Sequence, residues 1–191
     1  MPKGLLEAAV EELRHAAVAD PGGTQEKTRR FVLAAAERGG EDALYKGLAP
    51  DHLTASCFVF DESGTQTLLT FHRKGQFWVQ LGGHLERGDG SLRDAAIREF
   101  REESGIAGPA WFSPRHVEID VHALSSGFSG CEHHLDVAFS AIVARDVEIT
   151  ISDESDDLAW WPLDGLPDGR ADGLDTRLAT AVAYTQPFFT R

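Results

Sequence analysis

Cysteine is nearly absent from this chain: Cys57 and Cys131 are the only two in 191 residues. Two cysteines cannot build a disulfide framework, and these lack the spacing of a zinc site. Long apolar runs are also missing, which excludes a membrane-spanning helix. No basic-then-apolar export signal opens the chain. A reducing, cytoplasmic setting is the expectation, with no membrane partner. Positive charge is scarce: 18 Lys and Arg stand against 31 Asp and Glu, for a net charge of −13. That balance argues against binding a nucleic-acid polymer, which needs a basic face. It leaves room for a small phosphorylated molecule if metal ions bridge the like charges. Internal repeats and low-complexity tracts are absent too. The remaining composition, 42% hydrophobic and 26% charged, is ordinary for one globular domain with an appended subdomain.

Residues 3–19 carry Leu5, Leu6, Ala9, Leu13, Ala16 and Ala17 at helical spacing. Pro21-Gly22-Gly23 breaks that helix, and a second is expected from Thr24 to Arg38, closed by Gly39-Gly40. Residues 1–50 thus read as a helical extension packed on a main domain of residues 51–191, with a homodimer surface as its other use. Thr54–Phe60 and Thr67–Phe71 read as strands joined by the Asp61-Glu62-Ser63-Gly64 turn. Phe77–Leu81 reads as a strand leading into Gly82-Gly83. Later strands are expected at His116–Leu124, Leu135–Ala144 and Leu158–Trp161, with a closing helix around Arg177–Tyr184. Strands before and after one central helix suggest an α+β sandwich.

The chemistry concentrates in that central helix, within Arg98-Glu99-Phe100-Arg101-Glu102-Glu103-Ser104-Gly105-Ile106. Ser91 or Asp89 is its candidate cap and Gly105 its terminator. Glu99, Glu102 and Glu103 fall at i, i+3 and i+4 and so share a face. Upstream on that face lie Leu92, Ala95 and Ala96. One stripe therefore changes from apolar to acidic along a single helix. Clustered carboxylates at a core boundary repel one another and lose solvation, and a divalent cation relieves both costs. A solvated acidic face is the bland reading; it accounts poorly for charges that continue an apolar stripe.

Gly82-Gly83-His84-Leu85-Glu86-Arg87-Gly88-Asp89, followed by Arg98–Ile106, resembles the Nudix box of MutT-like hydrolases. That motif reads glycine, five residues, glutamate, seven residues, then Arg-Glu-apolar-x-Glu-Glu-x-Gly-apolar. The second half, Arg98–Ile106, fits throughout, and the box spans about residues 82–106. The chain departs twice: Asp89 replaces the box glutamate, and one extra residue separates it from Arg98. Runs at His52–Ser56, Trp78–Gln80 and Trp160–Leu163 look similar to the family as well. The resemblance implies an α/β/α sandwich around a mixed sheet. It also implies Mg²⁺ or Mn²⁺ on Glu99, Glu102 and Glu103, with the Gly82 carbonyl and an acid such as Glu154 as further ligands. It implies an Arg98–Asp89 pair and a small nucleotide substrate.

Other residues carry weaker signals. His84 follows the glycines and His134 precedes a strand, so both are candidates to touch substrate. His116, His122 and His133 invite a metal reading, but the histidine spacings match no standard zinc pattern. Trp78, Trp111, Phe128 and Trp160 can stack on a base, though aromatics more often fill cores. The leading expectation is hydrolysis of a nucleoside diphosphate linked to another moiety, such as a nucleotide sugar or nucleoside triphosphate. The alternatives are a non-catalytic nucleotide-binding module and an isoprenyl diphosphate isomerase, which calls for a catalytic cysteine.

Overall fold

The computed structural model describes residues 3–15, 23–124, 131–153 and 155–190. In chain order the helices and strands begin with α1 (Leu5–His15) and α2 (Thr24–Gly39), then β1 (Asp51–Asp61), β2 (Gln66–His72), β3 (Phe77–Val79) and β4 (Leu81–His84). The helix α3 (Leu92–Ser104) follows, then β5 (Trp111–Phe112), β6 (Glu118–Ala123), β7 (His133–Val143), β8 (Ser155–Pro162) and α4 (Leu174–Thr185).

β1 and β7 run parallel along their whole length, from Asp51 beside His133 to Asp61 beside Val143. Among the described residues every other pairing between these strands is antiparallel, so the sheet is mixed. The outer edge of β1 is shared: β4 pairs with Thr54–Cys57, and β2 with Val59 and Phe60. β7 is flanked in the same way, by β6 on its first half and β5 near its end. Strands covered on both faces read as continuous apolar sequence rather than as alternation. This is why β1 is buried almost throughout.

Successive residues of a strand point to opposite faces. Leu53, Ala55, Leu135 and Val137 meet Ala9 and Leu13 of α1, Ala36 of α2, and Leu92, Ala95 and Ala96 of α3. Phe58, Phe60 and Ala138 meet Leu174, Leu178 and Ala181 of α4 on the other side. The result is the α/β/α sandwich, with N-terminal helices on the α3 side. Two side chains tie those helices in. The Glu12 carboxylate accepts the Leu92 N–H at 2.8 Å, at the start of α3. Gln25 of α2 accepts the Ile119 N–H at 2.9 Å and donates to the Ile119 carbonyl at 3.2 Å. An amide side chain thereby stands in for a neighbouring strand along β6.

The strand expected at Phe77–Leu81 is instead two, interrupted at Gln80, and the second continues through Gly82-Gly83-His84. Pairing with β1 outweighs the weak strand propensity of glycine. Two-residue β5 was not expected; a segment that short has no periodicity to read.

Candidate active site

Helix α3 is set by Ser91, whose hydroxyl accepts the Asp94 N–H at 3.0 Å, and ended by Gly105 at φ 70°. Its acidic residues are not equivalent. Glu103 is buried at 7% exposure, Glu99 is half-buried, and Glu102 is exposed. The core stripe therefore continues through Glu99 and Glu103, one turn apart, while Glu102 stands at the solvent lip. Gly82 donates its N–H to Glu103 at 2.7 Å. This bond crosses from β4 to α3 and fixes a buried carboxylate that otherwise lacks solvation.

Gly82 and Gly83 each occupy a place closed to a side chain. Gly82 sits at φ 154°, and a Cβ there would lie 2.5 Å from the Ser56 Cβ. A Cβ on Gly83 would lie 2.6 Å from a Glu99 carboxylate oxygen. The glycines let the β4 backbone lie directly against both β1 and the acids.

Arg98 gathers the loop and the helix. Its guanidinium donates to both Asp89 carboxylate oxygens at 3.1 Å, to Glu99 at 2.8 Å, to Glu102 at 3.0 Å and to the His84 carbonyl at 2.9 Å. Burial alone would favour the neutral form, but the Asp89 and Glu99 carboxylates outweigh it and raise the Arg98 pKa. The shorter Asp89 arm and the extra loop residue still permit a two-pronged contact. A cavity of about 230 Å³ lies here, bordered by Gly83, His84, Glu86, Arg98, Glu99, Glu102, Glu103 and Ser152. Its carboxylate donors suit a hard divalent cation. Glu154 lies outside the described residues.

The opposite face of the sheet carries a buried polar network that the sequence did not disclose. Asp136 accepts from Thr54 at 2.8 Å, Ser56 at 2.6 Å, Gln80 at 3.3 Å and Arg177 at 2.5 Å. Arg177 also donates to Glu118 at 2.8 and 2.9 Å. Burial opposes ionisation of Asp136, yet the Arg177 charge and its hydrogen bonds hold its pKa down at about 2. For Glu118 the balance reverses: burial exceeds the pull of Arg177 and raises the pKa. The one available signal was alternation, Glu118-Ile119-Asp120 and His134-Leu135-Asp136, with polar residues on a single face.

Beside this network stand His52, His84 and His134. His84 stacks on His52 with ring centroids 5.2 Å apart, and His134 meets both edge-on at 4.9 and 5.2 Å. Burial lowers the pKa of all three, with His84 at about 4 and His134 at about 3. His116 is elsewhere, in a separate cavity with Glu11, Glu12 and Phe139. His133 pairs with Asp51 at 2.8 Å. Trp78 packs edge-on to Trp161 among the α4-side core, and Trp160 joins the α3-side core. Trp111 stacks on Phe188. Phe128 lies outside the described residues.

A family model described as NUDIX domain matches residues 50–181. A MutT NUDIX hydrolase from Burkholderia pseudomallei superposes with a TM-score of 0.56 at 20% identity, covering 68% of this chain and 97% of that one. An Ap4A hydrolase binary complex from C. elegans gives a TM-score of 0.58 at 19% identity, covering 71% and 98%. The NUDIX domain of Shewanella oneidensis NrtR, complexed with ADP ribose, gives 0.52 at 16%, covering 71% and 86%. Comparison with curated proteins gives no match.

Proposed function

The chain belongs to the NUDIX family of pyrophosphohydrolases, and on that premise we propose that it hydrolyses a nucleoside diphosphate linked to another moiety in a metal-dependent reaction. The observation that carries this reading is the convergence of Glu99, Glu102, Glu103 and Arg98 on one cavity. At about 230 Å³ it is smaller than a typical whole-ligand pocket and suits a diphosphate, with the nucleoside lying outside it.

Mg²⁺ or Mn²⁺ fits the oxygen donors and would be held by Glu102, Glu103 and the Gly82 carbonyl, with Glu154 as a further ligand. When bound, such an ion neutralises diphosphate charge and polarises the phosphoryl oxygens. Glu99, half-buried and held by Arg98, orients the attacking water. The water oxygen forms a bond to phosphorus as the anhydride P–O bond breaks. The departing phosphate takes the bonding pair, and a carboxylate of the cluster takes the water proton. Arg98 positions these acids by clamping helix to loop. The candidate substrate contacts His84 and His134 lie with His52 on the other face of the sheet from these acids, and His84 also borders the cavity.

A catalytic role for Cys57, as an isomerase would require, finds no support. Its thiol is fully buried and burial raises its pKa well above the ordinary range. The test is turnover with Mg²⁺ or Mn²⁺ across ADP-ribose, Ap4A, other nucleotide sugars and nucleoside triphosphates. Metal-dependent products that disappear in Glu103→Gln are expected. No turnover by folded protein that still binds nucleotide would point instead to a binding module.

A further inference from the structure

The three clustered histidines come from three strands. His52 belongs to β1, His84 to β4 and His134 to β7. His52 lies directly beside His134 in the parallel pair, and His84 pairs with Thr54, two residues along β1. Each imidazole offers a ring nitrogen, and those atoms all lie within 4.8 Å of one another. His52 is fully buried, and neither of its ring nitrogens has a hydrogen-bond partner. Nε2 of His84 is buried and unpartnered as well. A buried polar atom without a partner costs about 1–3 kcal/mol, so convergent imidazoles with three orphaned nitrogens, two on His52 and one on His84, call for a ligand.

The character of those nitrogens decides which ligand. His52 is fully buried and neither ring nitrogen meets an acceptor, so the cluster offers lone pairs rather than an imidazolium clamp. Lone pairs converging from three sides select a cation. Imidazole nitrogen suits a borderline transition-metal ion, not Mg²⁺.

We propose that His52, His84 and His134 form a three-histidine site for a Zn²⁺-class ion, separate from the carboxylate site and leaving its remaining coordination position open to solvent or a ligand oxygen. A Zn–N bond of about 2.0–2.1 Å places tetrahedral nitrogens roughly 3.3 Å apart, so small side-chain rotations would close the present spread. His122 is outside this set. Its Nδ1 faces Asp120 at 2.9 Å, and its ring meets that of His134 in a T-shaped contact at 5.3 Å. Gly83 and His84 are consecutive in β4, so one faces the acids of α3 and the other the histidines. The sheet thereby lies between the acids of α3 and the three imidazoles.

The experiment titrates chelator-stripped protein with Co²⁺ in excess Mg²⁺, which fills oxygen sites without competing for imidazoles. A saturable signal with the intense visible absorption of four-coordinate Co²⁺ is expected, discharged by one equivalent of Zn²⁺. His134→Ala should weaken binding at least roughly 100-fold, as loss of a direct ligand exceeds the 10–100-fold cost of losing an outer partner. Glu103→Gln should leave it intact. No such absorption, or a signal lost in Glu103→Gln and kept in His134→Ala, overturns the proposal. Should His134→Ala not fold, His84→Gln repeats the test. Imidazole proton resonances of the unmodified protein give a further check: three histidines must shift with Zn²⁺, and none shifting counts against the site. Hydrolysis is not read in any arm, so this outcome is independent of the proposed activity.

Discussion

Replacing Arg177 by Leu tests whether the buried network under β1, β6 and β7 depends on one cation. The guanidinium is 10% exposed and bridges Glu118 and Asp136, whose side chains are 1% and 4% exposed. Its loss would strand two carboxylates in the core. Removing one partner of a buried ion pair typically costs about 3–5 kcal/mol, because an uncompensated charge remains. The Asp136 pKa gives an independent scale. Holding it at about 2 instead of the ordinary 3.8 is worth about 2 kcal/mol at neutral pH. That contribution is complete above the unfolded value and is lost as pH falls through about 2. Glu118 has the opposite sign: its raised pKa is a penalty at neutral pH that is relieved as pH falls. In Arg177→Leu both carboxylates would titrate upward, and the folded state would bind more protons than the unfolded one. The stability deficit should therefore shrink by about 1 kcal/mol or more between pH 7 and pH 5. Urea unfolding at the two pH values measures it. Thermal unfolding at pH 7 should shift by roughly 10 °C, at about 2–4 °C per kcal/mol for a chain of this size. A deficit below about 1 kcal/mol at pH 7, or one unchanged at pH 5, would refute the reasoning.

Two further substitutions probe the support of α3. Glu12→Ala removes the carboxylate that accepts the Leu92 N–H, and should cost about 1 kcal/mol in urea unfolding, as for loss of a helix N-cap; Glu12→Gln, which keeps an acceptor oxygen, should recover part of it. Gly82→Ala would combine a φ of 154° with a Cβ 2.5 Å from Ser56, and should cost at least about 2 kcal/mol by the same measurement. A Gly82→Ala protein as stable as the parent would show that β1 and β4 can separate without penalty.

Most elements could be read because their local patterns and long-range packing agree. The stripe Leu92, Ala95, Ala96 faces the sheet, and Ser91 and Gly105 bound its helix as capping chemistry requires. The acidic half of the stripe was legible only in part. Helical spacing puts Glu99, Glu102 and Glu103 on one face, but a 3.6-residue period leaves Glu102 further round, at the lip. Histidine spacing along the chain was no guide to the His52, His84 and His134 cluster. Their neighbours are set by β1–β4 and β1–β7 register, which brings together residues far apart in sequence. Arg177 was hidden for a related reason. In a helix read from its apolar positions, one arginine looks solvated until the sheet beneath supplies Glu118 and Asp136.

The same register explains why the glycine pair is needed inside a strand. β4 must pair with β1 to place His84 on the histidine face, yet it must also bring backbone against Glu99 and Glu103. A side chain at Gly83 would occupy the space of the Glu99 carboxylate, and one at Gly82 would push β4 away from Ser56. Separating β4 from β1 would also break the N–H contact from Gly82 to Glu103 and move His84 away from His52. Two glycines thus satisfy both faces of the sheet at once, at some loss of intrinsic strand stability.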